Sequence, residues 1–585
     1  CLDYKETKQP IKLYYYFMKK QTLLLTLAIV ILTMFGCKPP KEFIDSIKMT
    51  PSPAEYKGGK VQITFEGTFP EKYFTKKMTM TVVPVLTCAD GKVFKGEPIT
   101  YQGEKIEGND KTIKYKVGGK YTQTATFDYS PSMESCVVSL EATVHTSKKD
   151  YALDPVIVGK GTNITPLLVS TAPGTGDLQA EITPDKFQRI IEEKTEAQIN
   201  YLVNQSLVRN SELKNENVVN LAKAIKEAKD AENKELKNME ISSYASPEGA
   251  QDFNEELSGK RGKAAEKYVN QQLKKIKAEM AIDSKTTAED WEGFKALVEN
   301  STLEDRALIL RVLSMYSDPD QREKEIRNLS AAYKLIDEDI LPQLRRSKMT
   351  LVVNVIGRSD EEIAALADSD PKQLSVEEIL YAATLTNDMN KKANIYAKAT
   401  ELYPNDYRTY NNLGMAQYEL GKLNEASRAF AKALELAPEN AAVNYNNGLI
   451  ALANNQIDRA KELFGKAGGV GNGLNYANGV IAILEGNYKK AADLFGNATT
   501  NNAALANILN ENNGAARKAL DNNERANATT SYLKAILAAR TNNVEELVKN
   551  LSAAIKANPD YKAKALKDVE FINFLENAAF AALLK

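Results

Sequence analysis

Along residues 48–170 apolar and polar positions alternate in short runs: Lys60-Val61-Gln62-Ile63-Thr64-Phe65, then Met78 to Leu86, then Thr112 to Val117. Such alternation sets one face of a strand on a core and the other in water. The turn-forming pairs Gly58-Gly59, Asp90-Gly91 and Gly118-Gly119 fall between the runs. Strands at this spacing predict a β-sandwich. From 185 the pattern changes type, with an apolar strand near Ile199 to Val203, a helix over Glu216 to Ala228, a strand from Met239 to Tyr244 and a long helix after Ala250. That order predicts an α/β or α+β domain over 185–357. Within it, residues 281–341 carry helical spacing at Leu303, Ala307, Leu310 and Leu313 and again at Ile326, Leu329, Tyr333 and Ile336. They read as a helical insertion, with the single Trp291 as its buried anchor or as a contact for a partner. From 372 to 585 small and aromatic residues recur at a fixed step of 34: Gly414 and Gly448; Tyr396, Phe430 and Phe464; Ala399, Ala433 and Ala467; Pro404 and Pro438.

The strand pattern of 48–170 resembles an immunoglobulin-like sandwich. A step of 34 is the tetratricopeptide period, and Tyr410, Leu413, Gly414, Ala426, Phe430, Ala433 and Pro438 resemble one repeat with its packing residues in place. Gly479, Ala491, Phe495 and Ala498 repeat the set at a shorter step, and the pattern weakens from Ala516 to Pro559, which predicts five or six helix pairs. The resemblance implies a protein partner held in the groove of the array. The B helices and loops are rich in Asn and Gly, and the run Gly468 to Gly473 reads as a relaxed turn, because a phosphate cradle would end in Gly-Lys-Ser/Thr.

A second resemblance lies at the join of strand and helix. It reads Tyr244-Ala245-Ser246-Pro247-Glu248-Gly249, then Asn254, Leu257-Ser258 and Arg261, with Ala264, Ala265, Tyr268 and Val269 following; Arg345-Arg346 precedes a strand from Met349 to Ile356. In two pieces this resembles the OmpA-like peptidoglycan-binding family. The resemblance implies a clamp for the zwitterionic end of a stem peptide, an Asp for its ammonium and an Arg for its carboxylate. Arg261 matches the Arg. Ser246 stands where the Asp is expected, and Glu248 is the nearest carboxylate. Ser246, Glu248, Asn254 and Arg261 are therefore the candidate peptidoglycan-binding residues, Arg261 being otherwise a helix residue paired to a surface carboxylate.

Met18-Lys19-Lys20 and the apolar run Leu23 to Phe35 read as an export signal starting at Met18, too short to span a bilayer. Met34-Phe35-Gly36-Cys37 resembles a bacterial lipobox, which implies removal of 1–36, lipidation (palmitate) of Cys37 and a tethered linker over 37–47; an ordinary signal peptide is the other reading. Lys38, Pro39, Pro40, Lys41 and Glu42 form no acidic run, so an outer-membrane protein facing the periplasm is expected, with surface exposure left open. Cys88 and Cys136 share the sandwich and form either a disulfide or two separately buried thiols. The whole resembles outer-membrane lipoproteins of Bacteroidetes-type bacteria that combine an OmpA-like domain with tetratricopeptide repeats.

Composition narrows the function. With 76 Lys+Arg against 77 Asp+Glu, no basic surface spreads over the chain, so nucleic acid is not an expected partner. The single His145 permits neither a two-His metal site nor a histidine relay. No motif assembles a nucleophile, a base and an orienting group, so neither an enzyme nor a cofactor is expected. The expectation is a non-enzymatic scaffold in which the repeats bind a protein and the OmpA-like domain touches peptidoglycan. The alternative is an accessory subunit of an outer-membrane assembly or secretion complex that binds only proteins.

Overall fold

The computed structural model describes residues 46–585 except 147–148 and 174–177. The export signal and Cys37 lie outside the described residues. The chain divides into two compact units, one running through Thr183 and resuming as Asn405–Lys585, the other Pro184–Pro404.

The first unit begins with strands β1 (Lys48–Thr50), β2 (Ala54–Lys57), β3 (Lys60–Phe69), β4 (Thr79–Cys88), β5 (Val93–Lys95), β6 (Ile99–Gly103), β7 (Lys111–Ile113), β8 (Gly119–Asp128), β9 (Cys136–His145), β10 (Asp150–Ala152), β11 (Val156–Lys160) and β12 (Thr162–Asn163). One sheet runs β1-β3-β2-β12 with β8 also on β3; the other runs β10-β9-β4-β6-β7 with β11 on β9 and β5 on β4. Alternation builds the core between them: Val61, Ile63, Phe65 and Phe69 of β3 and Tyr121, Ala125 and Phe127 of β8 meet Met80, Val82 and Leu86 of β4 and Val138 and Leu140 of β9. Cys88 and Cys136 are opposite one another in the β4–β9 register and are joined by a disulfide. His145 sits on the surface, paired to Asp150 at 3.0 Å. The run Thr112 to Val117 is not one strand. It breaks after Ile113 and turns at Gly118, whose φ of +71° and close approach to the Phe69 carbonyl exclude a side chain; the long strand is β8, one turn later.

The second unit is built on β13 (Ile190–Asn200), α1 (Glu216–Asp230), β14 (Lys234–Tyr244), α2 (Gln251–Lys275), β15 (Ala281–Thr287) and β16 (Arg346–Ile356), in sheet order β13-β16-β14-β15. Only β14 and β15 run parallel. Val218, Leu221 and Ile225 of α1 and Ala265, Tyr268, Val269 and Leu273 of α2 pack on Ile199, Met239, Ile241, Met349, Leu351 and Val353 of the sheet. Several boundaries differ from expectation: β13 ends at Asn200 rather than Val203, β14 begins at Lys234 rather than Met239, and β16 begins at Arg346 rather than Met349. The first strand starts nine residues earlier than Ile199, in an exposed stretch, Ile190 to Glu196, that has no apolar alternation to read. The insertion opens with a strand, β15, whose edge position leaves most of its residues in solvent and so removes the alternation too.

Its helices are α3 (Trp291–Glu299), α4 (Arg306–Met315), α5 (Pro319–Asn328), α6 (Ser330–Leu335) and α7 (Leu341–Leu344). Phe294, not Trp291, anchors them, with Val298, Ile309, Ile326, Ile336, Ile340 and Leu344. Trp291 is half-buried, donates to Glu289 and lies under the Arg322 guanidinium. The unit closes with α8 (Asp360–Ser369), α9 (Val376–Ala382) and α10 (Met389–Leu402), so the helices between 372 and 404 fall in this unit rather than with the later repeats.

After Asn405 the described residues form five helix pairs: α11 (Tyr407–Glu419) with α12 (Leu423–Leu436), α13 (Ala441–Ala453) with α14 (Ile457–Gly465), α15 (Asn472–Leu484) with α16 (Tyr488–Phe495), α17 (Asn501–Leu509) with α18 (Asn513–Asp521), and α19 (Ala528–Arg540) with α20 (Val544–Ala557). Two short helices follow, α21 (Asp560–Ala565) and α22 (Ala578–Leu584). Within three pairs a glycine of the first helix meets an aromatic ring of the second: Gly414 on Phe430, Gly448 on Phe464 and Gly479 on Phe495. A Cβ at Gly448 would lie 2.4 Å from the Phe464 ring, so the ring can seat only against a bare backbone. Ala426, Phe430 and Ala433 are fully buried; Tyr410 and Leu413 are half-buried, and Pro438 is exposed with its carbonyl accepting the Asn444 amide at 2.7 Å. No helix among the described residues is long and apolar enough to cross a membrane.

Candidate functional site

The inner helices of the array carry a row of buried asparagines, and the row holds a segment of the same chain. Of the segment that leads out of the sandwich, Ser170 lies on the later repeats and Ala180, Glu181 and Thr183 on the earlier. Asn502 of α17 accepts the Ser170 N–H at 2.8 Å and donates to the Ser170 carbonyl at 2.9 Å. Asn446 of α13 does the same for Glu181, both at 2.7 Å. Asn412 of α11 does so for Thr183, both at 2.8 Å, and also accepts the Thr183 hydroxyl. A primary amide offers one acceptor and two donors, so each asparagine side chain satisfies both polar groups of one residue as a neighbouring strand would. Asn411 links the last two rungs, donating to the Glu181 carbonyl and accepting from Asn446 at 2.8 Å.

The three asparagines occupy one structural position, two residues before the small residue of helix A: Gly414, Gly448 and, in the shortened α17, Ala504. In α15 that position is Ala477, which carries no side-chain amide. Leu178 and Thr183 of the segment are buried. The Ala180 N–H is accepted by Glu419 at 3.2 Å. Burial holds the Glu419 carboxyl above the usual carboxylate range, against the Ala180 bond that lowers it, and burial raises Glu181 as well.

At the far end of the array the segment is fixed by charge. Glu570, whose side chain is 6% exposed, accepts from Arg540 at 2.6 Å, from Asn163 at 2.9 Å and from Thr165 at 2.7 Å. Burial pushes this carboxyl up, but the Arg540, Thr165 and Asn163 bonds outweigh it and leave it below the ordinary range. Two residues away, burial pushes Asp568 up to about 6, although it accepts the Tyr532 hydroxyl at 2.7 Å.

In the second unit, of the four residues expected to hold a stem peptide, Ser246, Glu248 and Asn254 are joined by hydrogen bonds, while Arg261 is held by backbone carbonyls of other residues. Arg261 is 1% exposed. Its guanidinium donates to three backbone carbonyls: Nε to Gln205 at 3.0 Å, Nη1 to Tyr244 at 2.8 Å and Nη2 to Leu202 at 3.4 Å. Burial lowers its pKa to about 10. Glu248 is gripped by Arg345, Oε1 at 3.0 Å and Oε2 at 3.2 Å, and accepts the Ser246 hydroxyl at 2.8 Å. Asn254 donates to the carbonyl of Glu248 at 3.1 Å and to that of Ser246. Arg261 is thus neither an open ligand site nor the partner of a surface carboxylate; it ties the loop after β13 to the end of β14.

The asparagine ladder is what sequence reasoning missed. Asn412 and Asn446 stand at the 34-residue step and were available as a signal, but asparagines also cap the helices here: Asn440, Asn487, Asn512, Asn527 and Asn543 each accept an N–H of the first turn. That abundance hides the rungs. Among the described residues no group of His, Cys, Asp and Glu is placed to hold a metal ion.

The region of helix pairs is tetratricopeptide-like. The family model described as "Tetratricopeptide repeat" matches residues 407–440. No curated protein matches the chain. Among solved structures, Pseudomonas aeruginosa pilF is 15% identical, covering 36% of this chain and 100% of its own, with a TM-score of 0.28. A tetratricopeptide repeat protein from Parabacteroides merdae is 14% identical, covering 38% and 89%, at 0.28. YrrB, described as having an unusual peptide-binding site, is 19% identical, covering 34% and 95%, at 0.21.

Proposed function

We propose that this chain is a non-enzymatic scaffold of the bacterial cell envelope, lipid-anchored through Cys37 to the outer membrane and facing the periplasm, and that its partners are proteins alone. The observation that carries the reading is the ladder. Asn412, Asn446 and Asn502 each pair with the N–H and C=O of one residue, and Asn412 with the Thr183 hydroxyl as well, which is the chemistry of polypeptide recognition. The immunoglobulin-like and OmpA-like parts serve in this reading as protein domains. Peptidoglycan is disfavoured because Arg261 spends its donors on three carbonyls and Glu248 is neutralised by Arg345, so neither end of a zwitterion finds a free charge.

Sedimentation of the mature chain with insoluble peptidoglycan tests this. No retention is expected; retention of the wild type that Arg261→Ala abolishes would restore the peptidoglycan-binding reading. Incorporation of labelled palmitate, lost in Cys37→Ala, tests the anchor.

A further inference from the structure

We propose that the end of the sandwich remote from the repeat array is a membrane-contact surface that docks on anionic phospholipid headgroups. The inference rests on the lipid-anchor reading and extends it from one acyl site to a face of the fold. Strand β3 measures the distance. It starts beside the array, where the preceding turn at Gly58 lies against the Glu485 backbone and the Tyr56 carbonyl accepts the Tyr488 hydroxyl at 3.3 Å. It ends ten residues on at Phe69, roughly 30 Å away.

Three loops meet at that far end. The Lys72 N–H donates to the Tyr115 carbonyl at 2.7 Å, the Lys105 N–H to the Lys76 carbonyl at 2.8 Å, and the Gly118 N–H closes a turn on the Lys114 carbonyl at 2.9 Å. Lys72, Lys77, Lys114, Lys116 and Lys120 are exposed there and make no ion pair among the described residues. Glu104 is taken by Lys76 at 3.1 Å and accepts the Tyr115 N–H. Glu71, Glu107 and Asp110 lie on the same loops and leave the lysines in excess. At the tip of the turn Val117 is 69% exposed, next to Lys116. An apolar side chain among ammonium groups suits the boundary of a bilayer, the valine toward the acyl region and the lysines on phosphates. With 76 Lys+Arg against 77 Asp+Glu in the whole chain, the attraction is local to this end.

What selects lipid as the occupant is where the chain enters. The Ser46 hydroxyl donates to the Thr68 carbonyl at 3.2 Å and accepts the Thr68 N–H at 3.0 Å, so the chain reaches the sandwich at the same end as the lysines. Residues 38–45 span at most roughly 30 Å. An acyl chain on Cys37 therefore keeps this end within reach of the bilayer. The contact sets orientation: with the lysines on the headgroups, the array stands off the membrane and open to protein partners.

The test uses the mature chain with Cys37→Ala, which carries no acyl group, sedimented with vesicles of phosphatidylcholine alone or with about one third phosphatidylglycerol. Retention is expected on the anionic vesicles only, falling as salt rises toward about 0.5 M. Lys114→Glu with Lys116→Glu is expected to weaken it at least about tenfold. Lys549→Glu with Lys556→Glu, the same charge change at exposed positions of α20, is expected to bind as the parent does. Equal losses in the two variants, equal retention on neutral vesicles, or no retention on either vesicle overturns the proposal; capture by polyglutamate without retention on vesicles overturns it in favour of an acidic protein. A second readout places the contact: an environment-sensitive fluorophore on Val117→Cys shifts to the blue with anionic vesicles and one on Lys556→Cys does not, and no shift at Val117→Cys overturns the proposal. Palmitate incorporation reports the anchor without reference to the lysines, so failure of the anchor and failure of this surface are told apart.

Discussion

Asn412 and Thr183 exchange two hydrogen bonds of 2.8 Å, side-chain amide to backbone, in a buried setting. Thr183 is the last residue before the chain leaves the first unit, and Asn412 lies seven residues past its return at Asn405. A single side-chain amide therefore ties together the two ends of the first unit's interrupted chain.

Asn412→Ala leaves the Thr183 N–H and C=O buried without partners. A loss of about 1–3 kcal/mol is expected, read as a lower urea midpoint of the full chain. Asn522→Ala, which removes an exposed bond to the Lys518 carbonyl, is expected to stay within about 0.5 kcal/mol.

Gly448→Ala sets a methyl 2.4 Å from the Phe464 ring and is expected to cost about 1–3 kcal/mol by overpacking. In thermal melts, Phe464→Leu in the same chain recovers part of the loss, because the smaller side chain vacates the space. Without that coupling, the glycine is not there for the ring.

These two sites differ in how legible they were. The glycine–aromatic pairs recur at a fixed step and have one physical cause, so the repeats are readable from Gly414, Phe430, Gly448 and Phe464 alone. The segment held by the asparagines is not, because 164–183 carries no periodicity and its pairing reaches as far as 405 residues along the chain, from Thr165 to Glu570. Ser246, Glu248 and Asn254 are hydrogen-bonded to one another, and Arg261 lies within electrostatic reach of Glu248. Spacing could not show that Arg345 pairs with Glu248 or that the Leu202 and Gln205 carbonyls join that of Tyr244 on Arg261, since Arg345 comes from the end of the insertion and Leu202 and Gln205 from the loop after β13. Edge strands such as β15 escape for a related reason: they bury too little to alternate.

Arg345→Ala removes the partner of Glu248 where the side chains are 10% and 18% exposed, and stability is expected to fall by about 3 kcal/mol in denaturant unfolding. Breaking the exposed pair Lys223–Glu227, with side chains 70% and 63% exposed, is expected to change stability by at most about 0.5 kcal/mol.

Asp568 gives the first unit a pH dependence of defined sign. Burial raises its pKa from 3.8 to about 6, so the folded state holds a proton that the unfolded state has released. That contribution is complete below 3.8 and is lost as the pH rises through 6. The melting temperature is expected to fall between pH 5 and pH 7, and Asp568→Asn is expected to flatten that slope. An unchanged slope in the variant would remove Asp568 as its source.

The most direct measurement of the central claim is residue-resolved hydrogen exchange on the full chain. Occupancy of the ladder predicts that the Ser170, Glu181 and Thr183 amides are protected in the wild type and lose protection when Asn412, Asn446 and Asn502 are replaced together by alanine. Wild-type amides that exchange at the rate of an open coil would contradict it.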